Sequence, residues 1–246
     1  MIKIDRIDPP EKLTPNEVER LTNIFKKEDK NVWGKKYIKE QLLLMSNNKC
    51  AYCETSLNVS GSYMEVEHFF PKSIYPDKVV EWDNLLPSCK RCNGTKGSED
   101  PNIFCIINPT VDDPTEHLAL NRYRIVGKDE LGKNTVSILN LNDFTDLVMA
   151  RARVGETLSE KLEEIADDAK VALENPNLSK TFKIRNSTLS LLKKVQPQNA
   201  HSATLASILL SDPSYLVIKD YLMKEGQWNE ELNGLELVAK RIRLSL

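Results

Sequence analysis

The spacing of apolar residues changes several times along this chain. Ile2, Ile4 and Ile7 punctuate a polar opening that reads as extended and stops at Pro9-Pro10. Thr14-Pro15-x-Glu17 then reads as a helix start, with Thr14 at the cap and Pro15 at the first position, and predicts a charge-rich helix over 14–28. Ile38, Leu42 and Met45 fall on one face of a second helix, Tyr37 to Ser46, which Asn47-Asn48-Lys49 ends. Both faces read as core, with the first helix also able to meet a partner. Turn residues crowd 97–115. Tyr123–Val126 and Thr135–Leu139 read as two strands of a hairpin joined by Gly127 to Asn134. After Asn142 the period becomes helical. Leu147, Val154, Leu158, Leu162, Ile165 and Ala169 line one face of a long helix, with Gly155 a weak point and Asn175-Pro176-Asn177 its end. Further helices are expected near 179–194, 198–210, 213–225 and 228–244, with Pro197 and Pro213 at boundaries.

Composition narrows the class. The 246 residues suit one or two domains, and 40% apolar content fits a globular chain. Met1 to Asp5 is too polar for a signal peptide, and no apolar run approaches the length of a membrane span, so a reducing cytoplasm is expected. The net charge of −2 excludes a globally basic nucleic-acid binder and favours a partner that delivers any nucleic acid.

Five cysteines change the picture most. Cys50-Ala51-Tyr52-Cys53 and Cys89-Lys90-Arg91-Cys92 are two Cys-x-x-Cys pairs, separated by enough chain for a hairpin. Each such turn offers two thiolates to one side of a tetrahedral ion, and four thiolates complete a structural zinc site. Disulfides do not suit a reducing compartment, and a redox Cys-x-x-Cys is expected once, beside a strand–helix unit. With all four ligands supplied by protein the metal has no open position, so it is structural rather than catalytic. Cys105, among Phe104, Ile106 and Ile107, is expected to be a buried thiol.

Between and after these pairs stand Glu67-His68, then Trp82-Asp83-Asn84-Leu85-Leu86-Pro87-Ser88-Cys89, then Asn93 directly after the last cysteine. In order, spacing and cysteine scaffold this segment of about fifty residues resembles the HNH endonuclease family in its zinc-ribbon form. The resemblance implies a ββα-metal core, with a hairpin carrying Glu67-His68 packed on a short helix that begins near Cys89–Asn93. It implies His68 as general base, since a neutral imidazole can take a proton from water at neutral pH. Asn84 would hold the loop and orient His68. Glu67 and Asn93 would hold a catalytic Mg²⁺, with Mn²⁺ as the alternative, because hard cations take oxygen ligands. Glu67 stands where many members have Asp, and Asn93 where many have His. Lys72, Lys90, Arg91 and Lys96 surround the centre in sequence and are candidate nucleic-acid contacts; the same residues also read as a solvated positive rim.

The run Ile107-Asn108-Pro109-x-x-Asp112-Asp113-Pro114-x-x-His117, with the opening Met1-Ile2-Lys3-Ile4, Cys50-Ala51-Tyr52-Cys53-Glu54 and Glu67-His68-Phe69-x-Pro71-Lys72-Ser73, is similar to the HNH subunit of Septu-type antiphage systems, some of them retron-associated. That likeness covers roughly the first 155 residues. It implies an effector that cleaves DNA within a hetero-oligomer with an ABC/SMC-like ATPase of the PtuA type. Asp112, Asp113 and His117 are read as turn and cap residues rather than a second metal cluster, and the isolated His201 as structural. The expected architecture is α+β, with regions 1–47 (strand and helices), 48–142 (nuclease core, zinc site and following hairpin) and 143–246 (helical docking or support). Other readings stay open: RNA, including tRNA, as substrate; a stand-alone restriction-type enzyme; or a zinc-ribbon module that binds without cutting.

Overall fold

Met64-Glu65-Val66-Glu67-His68 forms a short strand, β1, that pairs antiparallel with β2 (Leu85–Cys89). The register sets Glu67 opposite Leu86 and His68 opposite Leu85. All of β2 is buried, and it runs directly into α3 (Lys90–Lys96), where Cys89 is the cap residue and its Sγ accepts from the Cys92 amide. The computed structural model describes residues 1–57 and 63–246.

Two helices precede this core. In α1 (Pro15–Glu28) the Thr14 hydroxyl accepts from the Glu17 amide and Pro15 opens the first turn, as the sequence predicts. It buries Leu21 and Phe25. In α2 (Lys36–Met45) Ile38, Leu42 and Met45 face inward, and the helix packs on both strands. Arg6, in the opening segment, donates to the backbone oxygens of Trp82, Asp83 and Leu85 at 3.0, 3.0 and 2.8 Å and to the Thr110 hydroxyl at 3.0 Å. It thereby fastens the first residues of the chain to the entry of β2.

The predicted hairpin of 123–139 is corrected. Its first strand exists as β4 (Arg124–Gly127), but the partner is β3 (Leu118–Asn121), which follows the one-turn helix α4 (Pro114–His117). Arg122 and Tyr123 form the turn, both at positive φ (45° and 66°). The β-branched stretch read as the second strand lies in helix α5 (Glu130–Ile138). Two features outside that stretch override its β propensity. The Asp129 carboxylate caps the helix by accepting from the Gly132 amide, and a Cβ on Gly132 would meet the His117 carbonyl oxygen at 2.1 Å. Cys105 is likewise exposed, not buried, because Asp100 gathers Asn102, Ile103 and Phe104 into a surface turn and only Ile106 and Ile107 point inward.

The chain divides into two units, Met1–Leu118 with Val126–Leu141, and Ala119–Ile125 with Asn142–Leu246. The second is helical. A π-type turn (Phe144–Val148) leads into α6 (Met149–Glu174), followed by α7 (Leu178–Lys194), α8 (Ser202–Ser211), α9 (Pro213–Lys224) and α10 (Glu230–Ile242). Leu158, Leu162, Ile165, Leu192, Leu209 and Ile218 are among its core residues. Gly155 is no weak point: a Cβ there would meet Tyr123 and Ile208 at 2.5 and 2.6 Å, so glycine permits the close approach. None of the described helices is long and apolar enough to cross a membrane.

Candidate active site and metal centre

The four paired cysteines converge. Their sulfurs all lie within 4.8 Å of one another, and none forms a disulfide. Cys53 and Cys89 Sγ are 3.8 Å apart, so the two knuckles meet directly. All four are buried. The Ala51 amide in the first knuckle donates to the Pro87 oxygen of β2 at 2.9 Å, which docks that knuckle on the strand. Four buried thiol groups gathered without a disulfide fit one tetrahedral metal ion. Among the described residues this is the one cluster of His, Cys, Asp or Glu able to hold a metal. Asp112, Asp113 and His117 do not form another. Asp112 accepts from the Asn108 amide, Asp113 caps α4, and His117 Nδ1 lies 2.6 Å from Asp129.

His68 ends β1 as a buried residue, 7% exposed. Its Nε2 is 2.9 Å from the Val79 backbone oxygen. A carbonyl oxygen only accepts, so Nε2 carries the hydrogen and a neutral ring leaves Nδ1 as a free base. Burial lowers the imidazole pKa to about 4, assisted by the positive charges of Lys72 and Lys96 and opposed by the bond to Val79. The ring is therefore neutral at physiological pH.

The Val79 carbonyl is fixed in turn by Asn84. Asn84 is buried; its Oδ1 accepts from the Phe70 amide at 2.7 Å, and its Nδ2 donates to the oxygens of Phe70 and Lys78 at 3.0 Å each. Its own backbone oxygen accepts from the Phe69 amide at 2.9 Å. Asn84 therefore closes the loop 70–78 across its neck, one residue before the carbonyl that orients His68.

The period of a strand sends Glu65 and Glu67 to one face of β1, where α3 packs, and the helical step brings Asn93 and Lys96 to meet them. Asn93 Nδ2 donates to Glu65 Oε2 at 2.5 Å. Lys96 Nζ is 2.8 Å from Glu67 Oε1 and donates to the His68 backbone oxygen at 2.9 Å. Tyr52, inside the first knuckle and fully buried, donates to Glu67 Oε1 at 3.4 Å. Burial pushes the Glu67 carboxyl up to about 7, against the pull of Lys96 and the Tyr52 hydroxyl. The Tyr52 phenol is itself raised by burial and by the nearby carboxylate, so it stays a donor. Glu67 and Asn93 carry oxygen donors of the hard kind that Mg²⁺ or Mn²⁺ takes, but here Glu67 is engaged by Lys96 and Tyr52, and Asn93 by Glu65.

The basic residues separate. Lys96 cannot touch a phosphate in this arrangement: its ammonium is wholly buried and taken up by Glu67 and the His68 carbonyl. Arg91 turns inward along α3, donating to the Asn140 oxygen at 3.1 Å and lying 3.5 Å from Cys92 Sγ. Lys90 is exposed and Lys72 half-buried, with Lys72 Nζ 4.8 Å from the centre of the Trp33 ring. Sequence reasoning missed Glu65 and Trp33. The alternation of Glu65 with Glu67 carried the signal for the first; nothing local marks the second.

A model of the HNH endonuclease family matches residues 50–99. Over 243 residues the chain is 44% identical to a Septu protein PtuB of Bacillus thuringiensis, spanning 98% of this chain and 94% of that protein. A Septu protein PtuB of Bacillus mycoides (strain KBAB4) is 31% identical over 53% of this chain and 55% of its own length. Protein ea31 of Escherichia phage lambda is 37% identical over 34% of this chain and 28% of its own.

Proposed function

The chain belongs to the HNH endonuclease family, among the Septu PtuB proteins, and from that premise we propose that it hydrolyses DNA phosphodiester bonds as the effector subunit of an antiphage complex. One observation carries the reading: a buried, neutral imidazole with Nε2 committed to Val79 and Nδ1 free, ending the strand whose Glu65 and Glu67 meet Asn93 and Lys96. His68 takes the proton of the attacking water on Nδ1. Asn84 keeps the loop, and through it the Val79 carbonyl, where the imidazole needs it. Glu67 and Asn93 would hold the catalytic divalent cation, with Glu65 bonded to Asn93. When bound, that cation supplies charge stabilisation on the phosphate and on the leaving 3′ oxygen. The contacts from Lys96 and Tyr52 both fall on Glu67 Oε1, so Oε2 would be the oxygen offered to the cation. Lys72 and Lys90 are the contacts offered to the phosphate backbone, and the product is a 5′ phosphate with a 3′ hydroxyl.

Zinc is the ion proposed for the four cysteines, since thiolate-only tetrahedral sites suit it. The net charge of −2 argues that this subunit does not gather nucleic acid unaided, which supports a partner ATPase of the PtuA type, and the helical region 143–246 is proposed as the part that docks it. The compartment proposed is the cytoplasm. The test is cleavage of supercoiled plasmid with Mg²⁺ or Mn²⁺, wild type beside His68→Ala, each with and without a PtuA-type ATPase. Cutting that is lost with His68→Ala and raised by the ATPase is expected. Equal cutting by His68→Ala would remove His68 from the mechanism. Cleavage of RNA but not DNA by the same preparation would replace the substrate.

A further inference from the structure

Trp33 lies in the connection between α1 and α2, outside the segment that the HNH family model covers. Its ring stands nearly perpendicular to that of His68, with centroids 5.2 Å apart and planes at 84°. Phe25 of α1 backs the indole in the same manner, at 5.8 Å and 82°. Lys72 Nζ lies 4.8 Å from the indole centre. The connection itself is fixed: Val32 is buried, and Asn31 Oδ1 accepts from the Gly34 amide at 2.8 Å, closing a turn around Trp33.

The His68 ring is therefore held at two points. The bond from Nε2 to Val79 fixes one atom but leaves the imidazole free to swing about that contact, because the second side-chain torsion of histidine is broad. An edge-to-face aromatic neighbour limits the swing. We propose that Trp33 is a positioning residue for His68, holding the imidazole in the orientation that keeps Nε2 on the Val79 carbonyl and Nδ1 available to water. The assignment rests on the nuclease reading in which His68 is the base. It makes the active site a joint product of the HNH core and the two helices before it.

The experiment compares Trp33→Ala, Trp33→Phe and Trp33→Leu in the zinc-loaded full chain with its ATPase. Trp33→Ala is expected to lower kcat for plasmid cleavage roughly tenfold, with KM within about twofold, because the lost contact misorients the base without touching substrate. Trp33→Phe, which keeps a ring, restores kcat to within about threefold of wild type, and Trp33→Leu does not. A second readout is nitrogen-15 NMR of the histidine rings. Wild type is expected to show His68 as the Nε2–H tautomer, and Trp33→Ala to show a mixture of both. An unchanged kcat in Trp33→Ala overturns the proposal, as does a lost activity with an unchanged His68 signal. Should Trp33→Ala fail to fold, equal behaviour of the Phe and Leu variants overturns it. A wild type that cuts neither DNA nor RNA defeats the nuclease reading instead, and the ring signals of the variants still decide whether Trp33 holds His68.

Discussion

Replacing Lys96 with methionine separates a buried structural cation from a phosphate contact. The side chains of Lys96 and Glu67 are 0% and 2% exposed and their charged atoms are 2.8 Å apart. Methionine keeps most of the aliphatic volume but leaves Glu67 buried without its counter-charge and the His68 carbonyl without its donor. Removing one partner of a buried pair costs about 3–5 kcal/mol, and an orphaned carbonyl adds about 1 kcal/mol or more. The Glu67 carboxyl, already pushed up to about 7 by burial against the pull of Lys96, takes up a proton at neutral pH in the variant and recovers part of that cost. A net loss of roughly 3 kcal/mol, or about 10 °C in the unfolding midpoint of the first unit, is expected. The assay is urea and thermal unfolding of zinc-loaded protein, wild type beside Lys96→Met, Glu67→Gln and the double variant. The double variant should lie above Lys96→Met, because a neutral amide at 67 needs no counter-ion. A Lys96→Met protein with an unchanged midpoint, but weaker nucleic-acid binding and a shallower salt dependence, would refute the burial argument and return Lys96 to the phosphate contacts.

Three further outcomes follow from the geometry. Serine at any of Cys50, Cys53, Cys89 or Cys92 should abolish stoichiometric zinc, measured by elemental analysis, and unfold the first unit while the helical unit keeps its far-ultraviolet signal. Asn84→Ala frees three part-buried hydrogen-bond partners, so we expect about 1–3 kcal/mol of destabilisation by urea titration and a cleavage rate reduced 10-fold or more as the Val79 carbonyl drifts. Burial pushes the Glu236 carboxyl up, but bonds from Lys219 at 2.6 Å and Lys240 at 2.7 Å outweigh it and hold the carboxyl below its ordinary 4.5. A depressed carboxyl stabilises the fold above its unfolded value, so the second unit should lose stability as pH falls below 4.5, and Glu236→Gln should flatten that slope in melts taken between pH 3.5 and 6.

What could be read from the chain alone was whatever a local pattern encodes. Cys-x-x-Cys turns, the Glu67-His68 pair and the 3.6-residue repeat of α6 each specify chemistry or a face within a few residues. The failures share one cause. Thr135 to Leu139 carry strand propensity, but the residues that decide for helix are Asp129, which caps it, and Gly132, which packs on the His117 carbonyl. Lys96 reads as a surface cation on a short helix until β1 is placed beside it with Glu67 facing inward. The pairing was encoded across two elements, Glu65-x-Glu67 at strand period against Asn93-x-x-Lys96 at helix period, and becomes legible only when both periods are read together.

The same reasoning explains why the surroundings of His68 draw on residues far from its motif. A two-stranded sheet is marginal in water, and a seven-residue helix such as α3 falls below the length at which helices persist alone. The four cysteines tie the first knuckle to the β2–α3 junction, but they do not reach the loop that carries Val79. That loop is held by Asn84 from within, by Arg6 on the backbone of 82–85, and by α1 packing on the turn at Pro76–Lys78. Arg6 and α1 lie before the matched family segment. A fragment limited to residues 50–99 would keep all four cysteines, His68 and Asn84, yet lose Trp33 and the support that Arg6 and α1 give around the loop that carries Val79. Such a fragment should bind zinc more weakly than the full chain, because binding must also fold it, and should cleave far more slowly even when saturated with zinc, which a metal titration and a plasmid assay on the same preparation would measure.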